Sequence, residues 1–536
     1  MSAIKKSRPQ ANGLHVPAIW GEIVGYGFIA VTAVLAPLWL IHLNVPFIRL
    51  MDEVYHPIVL LQLFTFTATV ALTITLAAKL WQLRDEGFQA AVPFVLGVLV
   101  IFHFQALMRQ HAARSWDYIC YERAAQAIVA GANPYGDCYI YFPTPAQMLA
   151  TLYHVGAWVS SMADPTGMAA ESSARWDLVF YLYESTQLIL VAVAFALCYR
   201  LARVSGLQRL YAAGLVTALF LLNNPLLATL KHNQVNLWVL NLMLLAILGV
   251  ARYPLLSGLC VALGGHIKLY PLALLLPWML KRQWRALFSA GIGLIGIFFL
   301  QTNGGRSLTL WQQFLDFADS FPRGTFFRDN SLHSFVYNTL GHLKWLLGEG
   351  SFPVNELYVS RFVLLGMGLL GMVYLVRFFQ REQTAQRPFA IARTCWTEEG
   401  AVHSPSWMMM MGHSTDVIAV ALIASPVVWE HHYLLAMPLA ICAVAQARGE
   451  RQLWAVGISL FLMFVMPTFD VYPFSYHRLL GLVLLMVTLA PVPLPQIIPG
   501  WRWRNGKATA VEAQHRRELD RVTEPHAPEY QTEQAS

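Results

Sequence analysis

The chain has 536 residues, 57% of them hydrophobic and only 12% charged, against roughly 25% charge in an ordinary soluble domain. The net charge of +7 would suit a nucleic-acid binder if it were gathered on one face. Instead Lys and Arg punctuate the breaks between apolar runs, which sets nucleic acid aside and points to lipid as the solvent.

Lys5, Lys6 and Arg8 precede an apolar stretch from about 17 to 42, too long for a signal-peptide core. It is expected to stay as a first span with the N-terminus cytoplasmic. Spans at 56–80 and 91–108 follow, which puts residue 109 outside. Basic breaks mark the inside: Arg200, Arg203 and Arg209; Lys281, Arg282 and Arg285; Arg377, Arg381, Arg387 and Arg393; Arg448 with Arg451; Arg502 with Arg504. Parity with those breaks keeps 109–176 outside ahead of a span at 177–200. The apolar piece 146–160 is then a surface or re-entrant helix, while a reversed count would make it a true span.

Further spans are expected at 208–224, 234–251, 286–300, 360–377, 413–427, 432–447, 452–468 and 478–494. Between Arg252 and Lys281, both expected inside, the apolar stretch is broken at Gly264, Gly265, His266 and Lys268. Two half-length helices rising to a polar turn fit that pattern, and broken helices are tolerated in a membrane where they line a cavity. A second outside segment covers 301–357, and no internal repeat is evident. The expected fold is an all-α polytopic membrane protein of about 12 to 14 transmembrane segments, two of them half-length. Residues 1–90 hold a cytoplasmic arm and two extra spans, 91–495 the membrane core, and 496–536 a polar cytoplasmic tail.

Four stretches could carry chemistry. In the first outside loop, Asp117, Tyr121, Ala124 and Ile128 recur at helical spacing, and Gly131 and Pro134 end the helix. Asp117 thus sits in a first turn, where it favours the helix dipole and could be no more than a cap. It could also be a general base that takes the proton of an attacking hydroxyl. Glu122 and Asp137 share the loop and could be solvated charges. Cys120 and Cys138 lie there too, and a bridge between them would pin Asp117 to the Asn133-Pro134-Tyr135 turn.

The second stretch, His232-Asn233-Gln234-Val235-Asn236, stands at the entrance of an otherwise apolar span, where polar groups either cap a helix or serve a site. The third is His266-Ile267-Lys268-Leu269-Tyr270-Pro271. A lysine within an apolar stretch is costly, and its ammonium suits a phosphate unless it snorkels to the interface. The fourth joins Trp429-Glu430-His431-His432-Tyr433 with Tyr476-His477-Arg478, a donor-phosphate and hydroxyl set or an interfacial girdle. Neither HExxH nor paired CxxC occurs, so no metal site is expected.

These residues resemble glycosyltransferase family 87, the bacterial polyprenyl-phosphate-sugar-dependent transferases of the GT-C superfamily. The resemblance rests on the Asp117 helix leading to Gly131-Ala132-Asn133-Pro134-Tyr135 and Tyr141-Phe142-Pro143-Thr144-Pro145, and on Asn233-Gln234-Val235-Asn236. It continues in Ile267-Lys268-Leu269-Tyr270-Pro271 followed by Lys281-Arg282-Gln283-Trp284-Arg285, and in Ser425-Pro426 with Trp429-Glu430-His431-His432-Tyr433. It runs from about residue 92 to 490, and the two spans before residue 90 depart from it. Asp329-Asn330-Ser331 resembles a polar motif of relatives more weakly.

The resemblance implies an inverting, alpha-mannosyltransferase-like transfer with Asp117 as base, no metal and no cofactor, the lipid-phosphate sugar being a co-substrate. Lys268, His431 and Arg478 would hold the donor phosphate. Tyr121, Asn133, Tyr135, Gln234, Asn236, His266, Glu430 and His432 would meet substrate. The acceptor would be a glycolipid or glycan hydroxyl at the extracytoplasmic face of a bacterial inner membrane, with mannose the favoured sugar. A secondary transporter or lipid-linked sugar translocator is the alternative, because it too has broken helices and intramembrane polar groups.

Overall fold

Helices in this chain stop where a Pro, a Gly or a capping side chain stops them, so its apolar runs become many short helices and a few long ones. The computed structural model describes residues 86–110, 114–135, 138–163, 172–320, 329–348, 354–385, 405–447, 450–468 and 472–488. All of these belong to one unit that runs to Leu489. The spans expected at 17–42 and 56–80, the polar tail, Asp137, Arg387, Arg393, Arg448, Arg502 and Arg504 lie outside the described residues.

The described residues are helical throughout, without a strand. In chain order they form α1 (Glu86–Gln110), α2 (Trp116–Val129), α3 (Pro143–Ala163), α4 (Ser172–Val204), α5 (Arg209–Leu221), α6 (Asn224–Lys231), α7 (Asn236–Gly249) and α8 (Pro254–Ile267). After a 3-10 turn at Tyr270–Leu274 come α9 (Leu275–Leu280), α10 (Trp284–Gln301), α11 (Thr309–Ser320), α12 (Leu332–Leu346), α13 (Glu356–Ala385) and α14 (Pro405–Ala424). A second 3-10 turn, Glu430–Ala436, leads to α15 (Met437–Gln446), α16 (Glu450–Leu460) with a π segment at Phe461–Val465, and α17 (His477–Thr488).

Four helices are long and apolar enough to cross a membrane, over Ala91–Met108, Arg175–Val204, Trp284–Gln301 and Glu356–Glu382, and a fifth if the bent pair α5 and α6 is one span. The remaining apolar helices are shorter, 10–17 residues each, so the full-length spans of the described residues are fewer than the expected 12 to 14 segments, two of them half-length. The reason is local. Pro225 starts α6 with Asn223 capping it, and the Phe461–Val465 π segment ends α16 against Asn224, whose amide donates to the Val465 and Met466 carbonyls at 2.7 and 3.1 Å. The helix at 146–160 runs over Pro143–Ala163 and is not among those that pass the spanning criteria.

The long helices divide by environment. Half or more of Ala91–Met108 and Arg175–Val204 is buried, against 17% for Trp284–Gln301 and Glu356–Glu382. On the latter two, Phe288, Leu300, Leu364 and Leu365 are exposed. Apolar faces of that extent are stable where lipid covers them, and the chain is a membrane protein. α4 is the central element, packing on α1, α3, α5, α7 and α15.

The broken stretch ends later than its glycines suggest. Gly264, Gly265 and His266 are helical, and the break falls at Lys268, whose backbone is extended. Pro271 sets the limit, since it lacks the N–H that would continue α8. The glycines instead let the returning turn come close: a Cβ on Gly264 would stand 2.8 Å from the Pro271 ring, and one on Gly265 would stand 2.4 Å from Leu272. Small residues likewise seat α8 on α10, where a Cβ on Gly258 would meet the Ala286 carbonyl at 2.3 Å, close packing typical of membrane helices.

Away from these turns, Asp416 of α14 is buried between two arginines of α13, with Arg377 bidentate at 3.0 Å and Arg381 at 2.9 Å. The cluster extends through His413 and Glu382 to Lys281. Removing one partner of a buried ion pair leaves uncompensated charge and typically costs about 3–5 kcal/mol. Asp416→Ala is therefore expected to lower the thermal midpoint of the purified protein sharply, and an unchanged melt would show that the arginines find other anions.

Candidate active site

Asp117 is presented by a well-formed helix start. Ser115 caps α2, its hydroxyl accepting from the Tyr118 N–H at 3.1 Å and donating to the His232 carbonyl at 2.7 Å. The first turn of α2 is thereby fastened to the residues that precede α7. Gly131, with φ +70°, closes α2 at its other end, a backbone shape that costs glycine nothing.

The loop facing that turn is tied on every side. Asn233 takes φ +50°; its side-chain oxygen accepts from the Ser115 N–H at 3.0 Å, and its amide donates to Glu184. Tyr183 donates to the Asn233 carbonyl at 2.6 Å and Gln187 to the Gln234 carbonyl at 3.0 Å. Held this way, Gln234 extends its amide nitrogen to Asp117 Oδ2 at 2.6 Å. Tyr121 and Tyr141 both donate to its Oε1, at 3.1 and 2.9 Å. Asp117 is half-buried, and among the described residues its Oδ1 takes no hydrogen bond.

Glu122 differs from Asp117 in being occupied. It pairs with Arg114 at 3.3 Å and accepts from Gln126, and burial pushes its pKa up in spite of that arginine. Cys120 and Cys138 are joined in a disulfide, Cα atoms 5.4 Å apart, which ties the middle of α2 to the chain beyond the Asn133-Pro134-Tyr135 turn. With a sequence separation of 18 between the cysteines, closing the loop contributes about 3 kcal/mol in the chain-entropy model. Thiol reduction is accordingly expected to lower the thermal midpoint, and a Cys120→Ser, Cys138→Ser variant should melt at that lower temperature with or without reductant.

Lys268 supplies the cation. It is buried at the break after α8, where its ammonium donates to Asn236 Oδ1 at 2.7 Å and His432 Nε2 at 2.9 Å. It also lies 5.0 Å from the centre of the Tyr141 ring, a cation–π distance. An ammonium can only donate, so His432 accepts at Nε2 and carries its proton on Nδ1, which faces the Tyr270 hydroxyl at 3.3 Å. Tyr270 in turn donates a hydrogen bond to Ser425 Oγ at 3.0 Å. Tyr141 is therefore common to both halves of the site: its ring meets Lys268 and its hydroxyl meets the glutamine that holds Asp117.

His431 and Glu430 share the 3-10 turn with His432. The His431 carbonyl accepts from the Asn236 amide at 3.0 Å, while its ring Nε2 is buried without a hydrogen-bond partner. Glu430 bonds Thr468 and stands 3.7 Å from Arg478. Arg478 is fully buried; one nitrogen reaches the Met466 carbonyl, and Nε and Nη1 have no partner. Asp329 anchors this turn from the second loop, accepting from the Val428 and Ser331 N–H groups at 2.7 and 3.0 Å. Burial outweighs those bonds and raises its pKa to about 6.

Not every expected residue arrives at this centre. Asn133 is exposed and accepts from the Tyr135 N–H within its own turn. Tyr135 packs on Tyr139, Phe314 and Phe317. His266 bonds the Leu294 carbonyl and meets the Trp311 ring. Conversely Ser115, Tyr141, Tyr183, Glu184 and Gln187 belong to the network without having been singled out from sequence as functional residues. Glu184 and Gln187 did carry a signal, being polar residues one helical turn apart in the long apolar α4.

A cavity of about 330 Å³ shares Glu184 and Glu430 with the network and adds Leu107, Met108, Leu230 and Lys231. Asp117 and Lys268 do not line it, so the hydrogen-bonded groups rather than this cavity define the site. Among the described residues no cluster of His, Cys, Asp or Glu could hold a metal ion. The arrangement offers a carboxylate with one oxygen fixed and one open, and a buried cation linked to it through Tyr141 and Gln234.

The family model for glycosyltransferase family 87 matches residues 174–405. The chain is 27% identical over 321 residues, 57% of its own length and 68% of the relative's, to a Mycolicibacterium smegmatis protein named polyprenol-phosphate-mannose-dependent alpha-(1-2)-phosphatidylinositol pentamannoside mannosyltransferase. No solved structure matches the chain.

Proposed function

We propose that this chain, a member of glycosyltransferase family 87, moves a sugar from a polyprenyl-phosphate donor to a hydroxyl of a glycolipid or glycan with inversion, on the extracytoplasmic side of a bacterial inner membrane. Mannose is the favoured sugar, in line with the name of the Mycolicibacterium relative. The observation that carries the reading is the Asp117 carboxylate held by Gln234 and joined through Tyr141 to the buried Lys268.

Asp117 takes the proton of the acceptor hydroxyl at Oδ1 as the hydroxyl oxygen attacks the anomeric carbon. The lipid phosphate departs from the opposite face and is a good enough leaving group to need no second carboxylic acid, unlike a glycoside. Lys268 stabilises the charge that develops on it. The unpartnered buried ring nitrogen of His431 and guanidinium N–H groups of Arg478 support their place around the same phosphate. No cofactor enters this scheme, since the lipid-phosphate sugar is itself a substrate.

The test is sugar transfer by purified protein in lipid, with polyprenyl-phosphate mannose and polyprenyl-phosphate arabinofuranose offered beside a membrane glycolipid extract. Labelled sugar recovered in the glycolipid fraction from the mannose donor supports the reading. Label recovered from the arabinose donor alone would correct the sugar. Movement of intact donor across the bilayer, with no transfer to any acceptor, would replace the enzyme with a translocator.

A further inference from the structure

Gln234 stands in a stretch first expected to meet substrate, yet its hydrogen bonds are already committed inside the protein. A primary amide has an acceptor end and a donor end. Its Oε1 receives the hydroxyls of Tyr121 and Tyr141, and its Nε2 gives to Asp117 Oδ2. Turned the other way, the amide would set an oxygen against a carboxylate oxygen at 2.6 Å, where two acceptors repel. The carboxylate, which can only accept, therefore fixes which end of the amide faces Asp117, and the two tyrosines donate to the other end.

The backbone below Gln234 is equally constrained, with its carbonyl held by Gln187 and the preceding residue held by Ser115, Tyr183 and Glu184. Gln234 is buried, as is Tyr121. A buried side chain with its oxygen doubly occupied and its nitrogen on the carboxylate is built to orient that carboxylate.

Resting on the reading of Asp117 as base, we infer that Gln234 is a positioning residue for the transfer. It fixes the Asp117 carboxylate by donating to Oδ2 and so presents Oδ1 to the acceptor hydroxyl. Tyr121 and Tyr141 act at one remove by polarising and orienting the amide. Gln234 is not itself a ligand for the sugar.

Two substitutions separate this role from a structural one. Gln234→Glu keeps the length and still accepts from both tyrosines, so a purely structural glutamine tolerates it. A positioning glutamine does not, because two facing carboxylates share a proton and the pKa of one rises strongly. Gln234→Met keeps the volume and removes the hold on Asp117 altogether. The measurement is the pH profile of mannose transfer from polyprenyl-phosphate mannose to a membrane glycolipid extract, with wild type, both variants and Asp117→Asn assayed in parallel.

The expected result for Gln234→Glu is an acid limb displaced upward by about one pH unit or more, with activity partly recovered at high pH and the KM for donor little changed. Gln234→Met should lose on the order of 10²-fold in kcat, the scale associated with small misplacements of a reacting group. A Gln234→Glu profile that overlays wild type while Asp117→Asn is inactive would leave the base in place and overturn the positioning role. Turnover in Asp117→Asn equal to wild type would overturn the base, and the positioning role with it.

Discussion

Replacing Asp117 with asparagine is expected to reduce sugar transfer by about 10²–10⁴-fold, the usual contribution of a positioned general base, while donor binding survives. Asparagine matches aspartate in size and can still meet Gln234 through its carbonyl oxygen, so the Ser115 cap and the α2 turn should be kept. What disappears is the proton acceptor at Oδ1. The informative measurement is paired: turnover with polyprenyl-phosphate mannose, and retention of that donor by the purified variant. Lost turnover with kept binding supports the base, equal turnover sinks it, and lost binding would move Asp117 from chemistry to substrate attachment.

Lys268→Met is expected to act on the other half of the reaction. Methionine fills a similar volume without charge, and because Lys268 is bonded to an amide oxygen and an imidazole rather than to a carboxylate, its loss leaves no counter-ion buried unpaired. The melt should therefore change far less than in Asp416→Ala, although Asn236 and His432 each lose a partner. Transfer should fall by about 10²–10³-fold, the scale for removing one group that stabilises developing negative charge. Weakened retention of the phosphate-bearing donor should accompany it. Wild-type kcat and KM in Lys268→Met would remove the ammonium from the phosphate and leave it a structural tie among Asn236, His432 and Tyr141.

Much of the local structure was legible before any coordinates. Asp117 in the first turn of a helix ended by Gly131, an interruption near Lys268 and a turn at Glu430–His432 all follow from short-range rules about caps, glycine, proline and buried charge. Less legible was how these pieces face one another. An apolar helix such as α7 is hydrophobic nearly all round, so its pattern gives no direction to Asn236 or Asn241; packing sets that rotation, with Asn241 reaching the α4 carbonyl of Leu190 at 3.0 Å.

The placement of the break had the same origin. Glycines read as helix breakers when taken alone, but Gly264 and Gly265 stay helical because Pro271 and Leu272 need the space their missing side chains leave. Helix lengths were hard to read for a related reason: hydropathy measures how apolar a run is and does not register the Asn223 cap or the π segment that cuts it short. Glu184 went unnoticed because its partner, Asn233, is contributed by a distant part of the chain.

That dispersion has a consequence for biosynthesis. The residues joined at the site are made in the order Asp117, Gln234, Lys268 and His432, and Lys268 has a complete set of partners only after the last of them is in place. A nascent chain that stops short of the Glu430–Ala436 turn carries a buried ammonium still missing one of its acceptors. Catalytic competence thus arrives late in synthesis and all together, and no N-terminal fragment ending before that turn can carry the complete site.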